Sequence, residues 1–135
     1  MPHVSRYPLS GDLEKEIVNN LNVVLSSINK GEEMLFFLDS LLSSTEKIML
    51  GKRIAIIILI DEGLKDSQIS KMLHVTDITV AKMRLFNEVH GQGFKIALKK
   101  LEEQKRLKAF KDSLLSLAEF IGKAGTGHVK KTFGA

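Results

Sequence analysis

Apolar residues recur on one side of a helix from the first dozen positions onward. Leu13, Ile17, Leu21, Val24 and Ile28 are spaced 4, 4, 3 and 4 apart, which is a single helical face. Ser10 or Asp12 supplies a cap at its start, and Lys30-Gly31 a stop. A second run gathers Met34, Phe37, Leu38, Leu41 and Leu42 on one side. The hydroxyls of Ser43 to Thr45 then open a third helix, with acidic Glu46 in its first turn where the helix dipole favours it. That third segment, Glu46 to Glu62, contains IAIIILI at Ile54 to Ile60, whose β-branched residues would also suit a buried strand. No second convincing strand exists to pair with it, and a lone strand leaves its backbone groups unsatisfied. The segment is therefore expected to be a helix ended by Gly63, apolar nearly all round and buried on all sides, as within a dimer.

Two short amphipathic runs follow in SQISKMLHVTDITVAKMR, from Ser67 to Arg84, separated by HVT alone. Helices this short are unstable in isolation because nucleation is costly, so they must pack on each other and on a larger body. Ile69 and Leu73 on the first and Val80 on the second are the apolar positions that join them. Ser70 is small where the two cross, Val75 plugs the core from the turn, and Thr76 caps the second helix; Asp66 or Ser67 caps the first. This is the layout of a helix-turn-helix over 66–88, a motif that delivers its second helix to the major groove of DNA. His74 occupies a turn position where the backbone tends to positive φ and glycine is usual, so strain is expected there. An ordinary helical hairpin is the competing structural reading.

In its wider context, LLSSTEKIMLGKRIAIIILIDEGLKDSQISKMLHVTDITVAKM resembles the Trp repressor superfamily, and within it the YerC/YecD-like branch. The matching pieces are the LL-(S/T) before an acidic helix start, the Leu-Gly-x-Arg element at Leu50 to Arg53, the helix ending at Gly63, and the helix-turn-helix. The resemblance spans roughly Phe37 to Val89, and implies an all-α, intertwined homodimer whose paired recognition helices enter successive major grooves. In the Trp repressor, tryptophan lies against the recognition helix and sets its angle. Matched residue by residue, that pocket would be Ser43, Arg53, Thr79, Lys82 and Met83. Lys82 stands in place of an arginine and loses bidentate carboxylate geometry; Met83 replaces a glycine and fills the space of the indole ring. Those two departures speak for a different small effector or none, and leave Arg53 as an ion-pair partner.

For reading DNA, the exposed start of the second helix offers Thr76, Asp77, Ile78, Thr79, Ala81 and Lys82. Ile78 suits a thymine methyl, Asp77 a cytosine amine or simply the helix dipole, and Lys82 a guanine or a phosphate. Gln68, Lys71 and Arg84 are placed for backbone contacts.

Beyond the motif, HGQG at His90 to Gly93 is expected to break the chain. A long helix should follow over Phe94 to Ile121, with Leu107, Phe110, Leu114, Leu117 and Ile121 forming a 3, 4, 3, 4 seam and EEQKR interrupting the earlier pattern. A glycine-rich basic tail is expected over 122–135. The predicted organisation is thus a helical domain over 1–93, an extra C-terminal helix over 94–121, and the tail. If the seam recruits a partner helix, the chain is instead a protein-interaction module with the helix-turn-helix as scaffold.

Charge sharpens this picture. The 135 residues carry a net charge of +4, with ten basic against twelve acidic residues up to position 93 and ten against four afterwards. A basic segment attracts phosphate backbones without reading sequence. The absence of cysteine excludes disulfides and thiolate sites. The four histidines, at 3, 74, 90 and 128, never share metal-ligand spacing on one helix. GKAGTG lacks the ending of a phosphate loop, and no carboxylate pair accompanies a nucleophile, so neither an enzyme nor a cofactor is expected. The longest apolar run, seven residues, is far short of the ~20 that cross a bilayer, and the N-terminus lacks a signal-type stretch. A cytoplasmic protein partnered by double-stranded DNA and a second copy of itself is the expectation.

Overall fold

The computed structural model describes residues 9–124, with side chains as far as 120. Among the described residues the protein is all-α: α1 (Gly11–Ser27), α2 (Gly31–Leu41), α3 (Ser44–Asp61), α4 (Asp66–Leu73), α5 (Asp77–Glu103) and α6 (Leu107–Ala124). The chain divides into two compact units between Lys47 and Ile48, inside α3. No helix among the described residues is long and apolar enough to cross a membrane.

The first unit contains α1, α2 and the opening turn of α3. Ser10 caps α1 by accepting from the Leu13 N–H at 3.3 Å. The helix ends at Ser27, with Ile28 extended, and Gly31 begins α2 instead of stopping α1. Ser43 and Glu46 make a reciprocal capping box at α3: the Ser43 hydroxyl accepts from the Glu46 N–H at 3.1 Å, and the Glu46 carboxylate accepts from the Ser43 N–H at 2.9 Å. The Ser43 N–H, and to a lesser degree the Ser43 hydroxyl near the carboxylate, hold the exposed Glu46 carboxyl below its ordinary value. An Asp39–Lys47 ion pair joins α2 to α3. Neither α1 nor α2 has a buried residue, and the stripe Leu13, Ile17, Leu21, Val24 lies open along α1.

The second unit holds the core. IAIIILI is helical, as its lack of a pairing strand predicts, and Ala55 to Leu59 of α3 are buried without interruption. They cluster with Leu64, Ile69, Met72 and Leu73 before and within α4, Val80 and Met83 of α5, and Leu114 and Ala118 of α6. Ile56, Ile58, Leu59, Ile69 and Val80 are the largest side chains fully removed from water, each worth about 1.5–3 kcal/mol in transfer free energy.

Three helices of this unit end with the same backbone device. Leu64 N–H donates to Leu59 C=O, Val75 N–H to Ser70 C=O, and Arg106 N–H to Leu101 C=O, closing α3, α4 and α5. Each closure passes through a left-handed residue: Gly63 (φ 89), His74 (φ 53) and Lys105 (φ 58). The anticipated positive φ at His74 is therefore present.

Two boundaries differ from expectation. His90 to Gly93 does not break the chain: α5 runs through it, with a kink at His90 (φ −122, ψ 26). Glycine lowers helix propensity by about 1 kcal/mol but does not end a helix unless a left-handed cap forms. That cap forms at Lys105, so the single helix expected over 94–121 is split into the end of α5 and a separate α6 at Gln104 to Arg106. The expected seam is largely turned inward. Leu114 is buried and Leu107 and Phe110 pack on the core, joined by Ala118, whereas Leu117 is exposed. The side chain of Ile121 and the expected tail past Ala124 lie outside the described residues.

Candidate nucleic-acid interface

The α4–turn–α5 unit is assembled from both polar and apolar contacts. Ile69, Leu73, Val80 and Met83 bury one face of each helix, and Val75 packs against the same core from the turn. Thr76 caps α5, accepting from the Thr79 N–H at 3.1 Å, while the two hydroxyls lie 2.8 Å apart. The start of α4 is capped differently from expectation. Lys65, not Asp66 or Ser67, is the capping residue, and its N–H donates to Gln68 Oε1 at 2.9 Å.

Two polar clamps fix the helices to one another. At the turn, the buried Ser70 hydroxyl donates to Asp77 Oδ1 in the first turn of α5. At the open end, Arg84 donates to Asp66 Oδ1 through both Nε (3.0 Å) and Nη2 (2.7 Å), with Leu64 C=O 3.4 Å from Nη2. Lys52 of α3 adds a contact from below, its Nζ 3.5 Å from His74 C=O.

These bonds sort the anticipated DNA-reading residues into two groups. Ile78, Ala81, Lys82 and Lys71 are exposed, with Ile78 at 68%. Thr76, Thr79 and Gln68 have side-chain oxygens engaged in capping. One oxygen of Asp77 accepts from the Ser70 hydroxyl of α4. Arg84 is half-buried and its guanidinium is engaged by Asp66. The clamps are contacts that the pattern of apolar positions did not reveal. Their signal was the opposite charges of Asp66 and Arg84 at the two ends of the motif.

The residues matched to an effector pocket are distributed otherwise. Ser43 belongs to the first unit, where its hydroxyl is committed to the cap of α3. Arg53 is half-buried on α3, Thr79 is half-buried, and Lys82 is exposed. Met83 is 3% exposed and part of the core, so it packs inward instead of lining an open site. An apolar groove of about 470 Å³ lies elsewhere, at the kink of α5, lined by Ile54, Phe86, His90, Gly93, Phe94 and Ala97. Among the described residues no three His, Asp or Glu side chains converge to hold a metal ion.

No family model matches the chain, and neither a curated protein nor a solved structure matches it. The likeness to the Trp repressor superfamily rests on the residues quoted for it.

Proposed function

We propose that the chain is a sequence-specific DNA-binding regulator of transcription that reads the major groove with the first turns of α5. The observation that carries this reading is the two-faced start of that helix. Val80 and Met83 are locked into the core while Ile78, Ala81 and Lys82 face outward from a rigidly clamped frame. A helix presented in this way suits base edges: an apolar contact from Ile78 and a charged one from Lys82. The sense of regulation, repression, comes from the resemblance alone. Such a regulator works in the cytoplasm, beside its DNA.

The acting species on this reading is a homodimer. The stripe of α1 is 40–50% exposed at Leu13, Ile17, Leu21 and Val24, and α2 leaves Leu35 and Phe36 open as well. Exposed apolar residues in such number on two successive helices are what an obligate partner covers. A second copy would bring two reading helices to one site, with half-sites about 34–36 Å apart. The competing reading, an interaction module built on the α6 seam, retains little surface. Leu107, Phe110 and Leu114 are spent on the chain's own core, leaving Leu117 and Phe120.

Selection from random duplex DNA by the purified protein tests the proposal. Enrichment of a near-palindrome with fixed half-site spacing is expected. Retention of DNA without any shared sequence would overturn sequence-specific reading.

A further inference from the structure

The helix-turn-helix has little positive charge with which to hold DNA. Within 66–88, Lys71, Lys82 and Arg84 are balanced by Asp66, Asp77 and Glu88, and Arg84 is engaged by Asp66. Two exposed lysines remain on the reading unit. Binding to duplex DNA at physiological salt draws most of its strength from neutralised phosphates and released counterions. A reader with so neutral a motif needs a source of charge elsewhere.

That source lies at the far end of the same helix. Between Lys95 and Lys108 there are six basic residues and two acidic ones. Lys95, Lys99, Lys100, Lys105, Arg106 and Lys108 are all exposed, and Lys100 makes a long ion pair with Glu103 at 3.4 Å. The turn between α5 and α6 gathers Lys105, Arg106 and Lys108 within one bend of the chain. Lys105 keeps its charge at a left-handed position, φ 58, where a residue with Cβ costs about 1–2 kcal/mol over glycine.

We propose that this basic α5–α6 hairpin is a second DNA contact, which grips the phosphate backbone of the duplex without reading bases. The inference rests on the reading of the chain as a DNA-binding protein and divides the labour within it. The start of α5 supplies discrimination, and its end supplies attraction. Lys99 lies about 30 Å along α5 from Ile78, at ~1.5 Å rise per residue, so the two contacts meet different stretches of backbone.

The test is a salt titration of the full chain on random-sequence duplex DNA, against the variant Lys99→Gln/Lys105→Asn/Arg106→Gln/Lys108→Gln. Asparagine at 105 tolerates the left-handed turn, so the fold is kept. The plot of log affinity against log salt should become shallower by about 0.9 for each phosphate that is no longer neutralised. At low salt the affinity should drop at least about tenfold, because the slope is the attraction itself. Sequence preference in selection should stay that of the wild type. A second variant, Lys99→Arg/Lys108→Arg, conserves charge and should keep the wild-type slope. An unchanged slope in the first variant, with wild-type sequence selection intact, overturns the hairpin contact and leaves the reading helix standing. A shallower slope in a protein that selects no sequence does the reverse. Absence of salt-dependent binding in the wild type overturns both.

Discussion

Ile78 and Lys82 are the two side chains that a base-reading role commits most fully, since neither has a structural task in the fold. Ile78→Ala should shift base preference at one position, at a cost of about 1–3 kcal/mol for the preferred site. Lys82→Ala should weaken binding without changing which sequence wins. Parallel selections with both variants check this, and identical motifs and affinities across all three proteins would remove these residues from the interface. Glu46 makes a different kind of prediction. Its carboxyl titrates below the ordinary glutamate value because the ionised form accepts from the Ser43 N–H, with a smaller contribution from the Ser43 hydroxyl beside it. A folded-state value below the unfolded one contributes stability that is fully present above the ordinary glutamate range and is lost as pH falls through the depressed value. Helicity at the start of α3 should therefore decline on acidification, and Glu46→Gln should flatten that part of the pH profile. An unaltered profile in the variant would show that the capping box does not govern it. Ser43 and Glu46 illustrate how far single residues were legible. Hydroxyl and acid were both recognisable as helix-start chemistry from their order, yet their reciprocal bonding needed the backbone geometry to be seen.

Elements were most legible where burial and period agreed. The apolar run of α3 was readable as a helix because nothing in the chain could pair with it as a strand. All-round burial holds for Ala55 to Leu59 but not for the start of the helix, where Ile48, Met49 and Leu50 are exposed. Helix ends were less legible. Gly63 announced itself and the turn position of His74 was marked by the motif, but the closure at Lys105 carries no such mark, while Gly91 and Gly93 mark no end at all. The backbone bonds that close a helix are available to any residue willing to bear the left-handed strain, so composition alone misplaces them. This leads to a stability prediction: His74→Gly should relieve about 1 kcal/mol of strain and raise the midpoint of thermal unfolding. A lower midpoint would mean that the His74 side chain contributes more than its backbone costs. The clamp between α4 and α5 gives the complementary prediction. Arg84 and Asp66 are each over a third exposed, so Arg84→Met should cost at most about 1 kcal/mol of global stability. Its larger effect should be on DNA affinity, through loosening of the angle at which α5 is held. Equal small losses in stability and affinity would make the pair a surface ion pair and nothing more.

At the scale of the molecule, the question is what covers α1 and α2. Their amphipathic period was plain in the sequence, whereas the absence of any buried residue on them was not, because periodicity tells which face is apolar and never what it meets. In the proposed homodimer a second copy would cover that surface, and Ile17→Glu/Leu21→Glu should then yield a monomer by sedimentation while leaving helix content intact. Two charges facing two charges across an isologous contact are costly on both sides. A variant that sediments as the wild type would mean that α1 lies outside the interface. The division of the second unit from the first has a further consequence, in time rather than in space. Its core joins α3, α4, α5 and α6, which are consecutive in the chain, so loop closures during folding are short. Helical topologies of this kind fold in microseconds to milliseconds. The core of each protomer should then form at a rate indifferent to protein concentration. In the proposed dimer, pairing through α1 and α2 would follow as a separate, slower phase that quickens as the protein is concentrated.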